Sequence, residues 1–194
     1  MKTLAKYFFI LVILLSAACA STSGKLIKAN TSARVFDMEF DTSLDWAKDR
    51  FGRYELWTVD GPYLNSLWTI SKIRPKEHVF LTSRERKSRP DGAFYRTGLR
   101  PDELKDLIAD AFRGQGYANV ETSGLRPARI AGASGIRFEI KQTNAIGLNY
   151  AGTVLAIEKD DKLTLIFWEA PVEHYYGRDI EAVNKLMDSV RFVK

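Results

Sequence analysis

The sequence predicts an α+β domain in which helices pack on a central antiparallel β-sheet. Three observations indicate this class: several segments whose apolar residues recur with a period of two, two segments with a helical period, and no regular strand–helix–strand alternation. A chain of 194 residues with 45% apolar and 27% charged residues, 6 prolines and 13 glycines has the composition of one ordinary globular domain.

The predicted strands are short runs rich in β-branched and aromatic residues, bounded by turn residues. The Lys-Asp-Asp-Lys turn at 159–162 joins the last two long strands into an antiparallel hairpin. A short extended stretch at 191–193 closes the chain. Strands are expected at 34–40, 54–59, 67–73, 119–122, 135–141, 148–157 and 163–168, of which 148–157 is the longest.

Two amphipathic helices are predicted from apolar residues at helical spacing. The first begins with Pro101 at its first position and ends near Gly114, where glycine is a common helix stop. The second covers about 178–189, close to the C-terminus. Their apolar faces consist of Leu104, Leu107, Ile108, Ala111 and Phe112 in the first and Ile180, Val183, Met187 and Val190 in the second.

The first 18 residues have the pattern of a secretory signal peptide. Lys2 and Lys6 precede an uncharged apolar run at 7–15, and small residues follow it. This run is about half the length of the roughly 20 residues that a membrane-spanning helix needs.

The sequence Leu-Leu-Ser-Ala-Ala-Cys that ends this segment resembles the bacterial lipobox. The resemblance implies diacylglycerol on the thiol of Cys19, cleavage between Ala18 and Cys19, and later acylation with a fatty acid such as palmitate. The match departs from the pattern at Ser16, where leucine is usual. Ala20 follows the cysteine, which by resemblance to enterobacterial sorting implies the outer membrane of a Gram-negative bacterium, on its periplasmic side. The alternative is an ordinary signal peptide that leaves Cys19 as a free thiol or as half of an intermolecular disulfide.

The rest of the chain is expected to be a tether and one domain. Residues 19–33 are rich in Ser, Thr, Ala and Gly, which is typical of a flexible linker, and 34–194 carry the folded α+β domain. The single cysteine excludes an internal disulfide and any cysteine-rich zinc site. With only two histidines as well, we expect neither a metal nor a cofactor.

Several segments of the mature chain resemble a group of uncharacterised lipoproteins of Gram-negative bacteria. The order of the second half is also similar to the fold of PsbP proteins and Mog-type Ran-binding proteins, which implies a sheet sandwiched by helices and no catalytic residues. Fold alone does not imply function. The segments that carry the resemblance are 54–68, 97–112, 125–139, 147–157 and 171–192.

One constellation could support catalysis. Glu169 or Glu173 could orient His174 as a general base, while Tyr175 and the next tyrosine shape a pocket. The other interpretation is that these aromatic residues pack at the corner between a strand and a helix. The other histidine, His78, is expected to be a solvated surface residue. The chain contains no GxGxxG, GxxxxGK[ST], GxSxG or HExxH motif.

Two further surfaces are candidates for binding. The stretch 83–89 could lie against anionic headgroups through Arg84, Arg86 and Lys87, or be a mobile, solvated loop. The aromatic residues Trp57, Tyr63 and Trp68 could anchor a partner, or close one end of the core.

From these observations we expect a non-enzymatic lipoprotein, attached to the bilayer through acylated Cys19, that binds an envelope protein or component. Two alternatives stay open: an envelope hydrolase or transferase that uses His174, and a carrier of an apolar ligand between sheet and helices. Nucleic acid is not expected as a partner of an exported protein.

Overall fold

The computed structural model describes residues 24–130 and 132–193. A π-helical turn, Val172–Tyr176, joins the last long strand to the C-terminal helix. The helices are α1 (Pro101–Gly114) and α2 (Gly177–Asp188). The strands are β1 (Lys25–Ile27), β2 (Thr31–Val35), β3 (Met38–Thr42), β4 (Trp46–Phe51), β5 (Tyr54–Thr58), β6 (Ser66–Ile73), β7 (Ala118–Ile130), β8 (Ala133–Thr143), β9 (Asn149–Lys159), β10 (Lys162–Pro171) and β11 (Arg191–Phe192).

The strands form two antiparallel sheets. The large sheet has the order β1-β4-β5-β6-β10-β9-β8-β7, and the small sheet has the order β11-β3-β2. The expected hairpin between β9 and β10 is present, with Lys162 opposite Lys159 and Pro171 opposite Tyr150. The predicted α+β class is therefore confirmed, with helices packed on a large antiparallel sheet.

Two hydrophobic cores lie on opposite faces of the large sheet. On one face Leu165 and Phe167 of β10 pack with Ile108 and Phe112 of α1. On the other face Ile166 and Trp168, with further strand residues, pack with α2 and the small sheet. Side chains alternate along a strand, so one strand serves both cores. This sandwich defines an α1 face and an α2 face of the sheet.

Helix α1 forms where its sequence predicts. Pro101 occupies the first turn, and the Glu103 side chain accepts a hydrogen bond of 2.8 Å from the backbone N–H of Arg100. Asp102 and Glu103 in the first turn and Arg113 in the last complement the helix dipole. Both predicted helices are present to within about two residues at their ends.

The N-terminal part of the fold differs from the prediction. The run 34–40 is not one strand, because the chain turns between β2 and β3 at Phe36, whose φ is 56°. The expected tether 19–33 overlaps the fold, because Lys25–Ile27 and Thr31–Val35 are paired strands, and its residues 19–23 lie outside the described part of the chain.

Strands β1 and β4 were not predicted, and β7 is longer than the expected 119–122. The physical reason is burial: β1 and β4 each bury one residue, Ile27 and Trp46, so they lack an apolar period of two. Strand β7 is exposed along most of its length and is held mainly by backbone pairing with β8.

The predicted signal peptide, residues 1–18, and Cys19 lie outside the described residues. Within the described part of the chain, no helix has the length and apolar character needed to cross a bilayer.

A substitution at Gly152 on β9 tests how closely the backbones of β9 and β10 approach each other. An added Cβ would lie 2.1 Å from the backbone oxygen of Trp168 on β10. We expect Gly152→Ala to lower the free energy of unfolding by about 3 kcal/mol, because the backbone of β10 must shift. The midpoint of urea unfolding measures this loss. Gly114→Ala is the control, since an added Cβ there meets no atom within 4 Å. An unchanged midpoint for Gly152→Ala would contradict the close approach of β9 and β10.

Candidate functional site

A cleft of about 420 Å³ opens on the α1 face of the large sheet. Glu169 supplies the acidic group among its lining residues, and none of the described lining residues is basic. The volume is within the range of small-molecule sites. Six aromatic residues line the cleft: Tyr54, Trp68, Phe80, Phe112, Tyr117 and Phe167.

Several parts of the fold build the cleft. Trp68 comes from β6, Phe167 and Glu169 from β10, and Phe112 from α1. Phe80 comes from the long segment between β6 and α1. The rings of Phe112 and Phe167 meet edge to face at 5.1 Å between centroids, and Phe80 contacts Phe112 in the same way at 5.1 Å. These contacts hold the aromatic walls in place.

Glu169 is a buried acid at this cleft. One carboxylate oxygen accepts a hydrogen bond of 3.0 Å from the hydroxyl of Tyr117, and the other accepts one from the side-chain amide of Gln142. Burial raises the pKa of Glu169, and the two hydrogen bonds oppose this shift. The pKa of Tyr117 is also raised, first by burial and then by the charge of Glu169.

Gln142 adds a second acceptor beside this carboxylate. Its side chain is buried, and its Oε1 has no hydrogen-bond partner among the described residues. A buried acceptor without a partner is costly in a folded protein. Glu169 and Gln142 together therefore retain acceptor capacity that no described donor uses.

Glu77 holds the segment that carries Phe80. Its carboxylate lies 2.7 Å from Nη2 of Arg53 and 3.1 Å from Nη2 of Arg84, and it accepts a hydrogen bond of 2.8 Å from the backbone of Arg74. The hydrogen bond from Arg53 is the main reason that the pKa of Glu77 is lowered.

His78 was expected to be a solvated surface residue, and this was wrong. The ring is buried, packs edge-on against Phe94 at 5.7 Å, and accepts a hydrogen bond of 3.1 Å at Nδ1 from the backbone of Phe80. Burial lowers the pKa of His78, because the charged imidazolium would lose its hydration. His78 therefore serves the packing of the segment next to the cleft.

The structure does not bring His174 and Glu169 together. Glu169 points to the α1 face, where its partners are Tyr117 and Gln142. His174 is exposed in the π-helical turn, and its ring lies edge-on to that of Tyr175 at 5.0 Å. Tyr175 packs against the core of the α2 face.

Glu173 is exposed in the same turn as His174. The turn itself is held by packing and polar contacts, with Tyr176 stacked on Trp168 at 5.6 Å. The indole N–H of Trp168 donates to Asn65 at 3.0 Å, and the Asn65 amide donates to Asp179. This corner is consistent with the packing interpretation of the aromatic residues.

The three aromatic residues predicted as a surface are separated. Trp57 is buried in the core of the α2 face, where its indole N–H donates to Glu55 at 2.8 Å. The prediction that Trp57 lies on a binding surface was therefore wrong. Tyr63 is 83% exposed, and its backbone oxygen accepts a hydrogen bond of 2.7 Å from Tyr150. Trp68 lines the cleft.

The predicted basic stretch lies beside a basic concavity that the sequence did not indicate. Arg86 and Lys87 are exposed, and Arg84 pairs with Glu77. A concavity of about 480 Å³ lies on the other side of the Arg53–Glu77 pair. We call it the basic concavity, and its basic lining residues are Arg50, Arg53, Lys72, Arg74 and Lys162.

Sequence reasoning missed the roles of Tyr117, Gln142 and Glu169 in the cleft. A signal was present for two of them: Glu169 has the same strand parity as Leu165 and Phe167, and Gln142 has that of other buried β8 residues. A polar residue on a buried face of a strand is a candidate functional residue. Tyr117 follows a helix and has no such periodic signal.

Comparison with known proteins shows the fold. No family model and no curated protein matches the chain by sequence. The crystal structure of the Ran-binding protein Mog1p from Saccharomyces cerevisiae matches with a TM-score of 0.53 and 8% identity, over 87% of this chain and 97% of that one. The chain therefore has a Mog-type fold, as its element order predicts.

Two other solved structures are similar at lower scores. PA94 from Pseudomonas aeruginosa, a protein of unknown function, matches with a TM-score of 0.46 and 11% identity, over 84% of this chain and 96% of that one. LpqN, involved in cell envelope biogenesis of Mycobacterium tuberculosis, matches with 0.46 and 9% identity, over 84% and 90%.

Metal ligands do not cluster in the described part of the chain. Across residues 24–130 and 132–193, no group of three His, Cys, Asp or Glu side chains could hold a metal ion.

Glu77 gives a prediction about pH. Because its pKa is lower in the folded chain than the ordinary value of 4.5, its stabilisation is present in full above about pH 4.5 and is lost as the pH falls through the folded value. Glu77→Gln should lower the free energy of unfolding by on the order of 1 kcal/mol at neutral pH, and by less below pH 4. Urea unfolding at several pH values measures the difference.

Glu85→Gln is the matched control, because Glu85 pairs with Arg96, whose side chain is 60% exposed. We expect a smaller effect from it, since exposed pairs contribute little. A loss for Glu77→Gln that is the same at pH 7 and at pH 3 would contradict the role of the ionised carboxylate.

Proposed function

We propose that this chain is a lipid-anchored binding module on the periplasmic side of the outer membrane. In this proposal acylated Cys19 holds the domain at the bilayer, and the cleft on the α1 face takes a ligand from the envelope. The function is binding and not catalysis. The main support for the proposal is the cleft, because it combines a volume of about 420 Å³ with aromatic walls and one buried acid.

The position where the chain enters the fold supports anchoring. Lys25 pairs with Lys48 in the antiparallel β1–β4 pair, so Gly24, where the described residues begin, lies beside the strand in which Arg50 lines the basic concavity. Four residues lie between Cys19 and Gly24, so five steps along the chain allow a reach of at most about 18 Å at roughly 3.6 Å per step. An acylated Cys19 would therefore keep the basic concavity close to the headgroups.

The charge of the basic concavity supports this orientation. Five basic residues line it, and Asp37, 3.1 Å from Lys72, is the acidic residue among its described lining. Anionic headgroups attract such a surface over about a Debye length. The domain would then present its basic concavity to the membrane.

A second candidate function is a carrier of an apolar ligand. The observation that favours it is the aromatic lining of the cleft between the sheet and α1, with Trp68 and Phe80 among the walls. A lipid acyl chain would bury apolar surface there, at about 25 cal/mol per Å². The buried acid Glu169 is the feature that this candidate does not use.

Lipidation is tested by metabolic labelling. The full chain should incorporate radioactive palmitate, and Cys19→Ala should abolish the label because it removes the acceptor thiol. Ser16→Leu is the matched variant: it brings the lipobox closer to its usual pattern and should keep or increase the label. Label that persists in Cys19→Ala would overturn the lipid anchor.

Ligand binding in the cleft is tested by native mass spectrometry of the full chain, purified from membranes in a sugar detergent. We expect a bound small molecule in the wild type and its loss in Thr82→Trp, because Thr82 is exposed and lines the cleft. Ser88→Trp is the control, an exposed position in the same segment outside the cleft. An empty wild-type protein, or an adduct that Thr82→Trp retains, would contradict the cleft as the binding site.

A further inference from the structure

We propose that the cleft binds an alkylammonium ion, with aromatic rings around the cationic group and the carboxylate of Glu169 as its counter-ion. This inference rests on the proposed function, since it names the ligand class of the same cleft. Three features of the cleft and of the residues next to it support the inference: an acid without a countercharge, unused hydrogen-bond acceptors beside that acid, and aromatic walls.

Glu169 has no positive partner in the described structure. Its two hydrogen bonds come from neutral donors, the hydroxyl of Tyr117 and the amide of Gln142. None of the described residues that line the cleft is basic. A buried carboxylate is normally paired with a cation or neutralised. A ligand that brings a positive charge would supply the missing partner.

Unused hydrogen-bond acceptors around Glu169 also favour a positively charged ligand. Each carboxylate oxygen of Glu169 accepts one hydrogen bond from the protein and has a further lone pair. The neighbouring Oε1 of Gln142 is buried and has no partner among the described residues. These oxygens give the surroundings of Glu169 a negative potential, which the positive charge of an alkylammonium group complements.

The walls suit an organic cation better than a hydrated metal ion. Aromatic rings such as Trp68 and Phe167 attract a cation through the electron density of their faces, most strongly for tryptophan. Alkyl groups on the nitrogen also gain from leaving water. An apolar ligand would gain only from leaving water, and it would leave the Glu169 carboxylate without a countercharge.

The test compares choline with its neutral isostere 3,3-dimethylbutan-1-ol, which replaces the trimethylammonium group by a tert-butyl group. Calorimetric titration of the full chain in an uncharged detergent measures both affinities. We expect choline to bind about tenfold or more tightly than the isostere, because only choline has the charge. Glycerophosphocholine distinguishes the sources: equal binding favours a lipid headgroup, and weaker binding favours a free alkylammonium ion.

Three variants locate the site. Glu169→Gln should weaken choline about tenfold or more and leave the isostere unchanged. The fold should survive this change, because the Gln142 amide can turn and accept from the new amide through its Oε1. Trp68→Leu keeps an apolar wall and should weaken choline more than the isostere. Glu173→Gln is the charge-matched control at an exposed position, and we expect no effect.

The pH dependence of choline affinity should follow the ionisation of Glu169, because only the carboxylate form attracts the cation. The other titratable groups facing it are the hydroxyls of Tyr117 and Tyr150, and Tyr54 lines the same cleft. Burial raises the pKa of all three, so they stay neutral from about pH 5 to about pH 9. Affinity should rise with pH in the wild type and in Glu173→Gln, and should be flat in Glu169→Gln.

The outcomes separate this inference from the proposed function. If the isostere binds as tightly as choline and Thr82→Trp weakens both, the cleft is a binding site but its ligand class is not cationic. If choline does not bind, the inference is overturned, and the native mass spectra decide the proposed function by themselves. Choline binding that is unaffected by Glu169→Gln also overturns the inference.

Discussion

The strand pair β9–β10 is the constraint on which the rest of the structure depends. Ten residue pairs, from Lys162 opposite Lys159 to Pro171 opposite Tyr150, form its register, and both of its faces are covered. A strand that is buried on both sides cannot slip by one residue without exchanging the two cores. The close approach at Gly152, where no side chain fits, is part of the same register.

This register also decides what the acidic and aromatic residues of β10 can do. Glu169 and Trp168 are neighbours in sequence but point to opposite faces, so the acid reaches the cleft beside α1 while the indole stacks on Tyr176. The catalytic pair with His174 fails for this geometric reason. The same alternation places Glu169 next to Gln142 of β8, in a setting that suits recognition of a charged ligand.

Two opposing effects act on the ionisation of Glu169 in the cleft. Burial destabilises the charged form of Glu169, and its two hydrogen bonds stabilise it. Such an acid is costly for stability, and groups of this kind are concentrated at functional sites. Glu77 shows the opposite case, since Arg53 and Arg84 neutralise it and it serves to hold a segment in place.

The sequence by itself determined the α+β class, both helices and the β9–β10 hairpin, because helical and strand periods, Pro101 and the turn at 159–162 are local signals. It also carries the lipobox-like segment that ends at Cys19. Strands β1 and β4 were not predictable from it, since each buries one residue and therefore lacks an apolar period of two. Only the tertiary structure decided that Glu169 meets Tyr117, and that five basic residues gather around the basic concavity, because these juxtapositions depend on which strands are neighbours in the sheet.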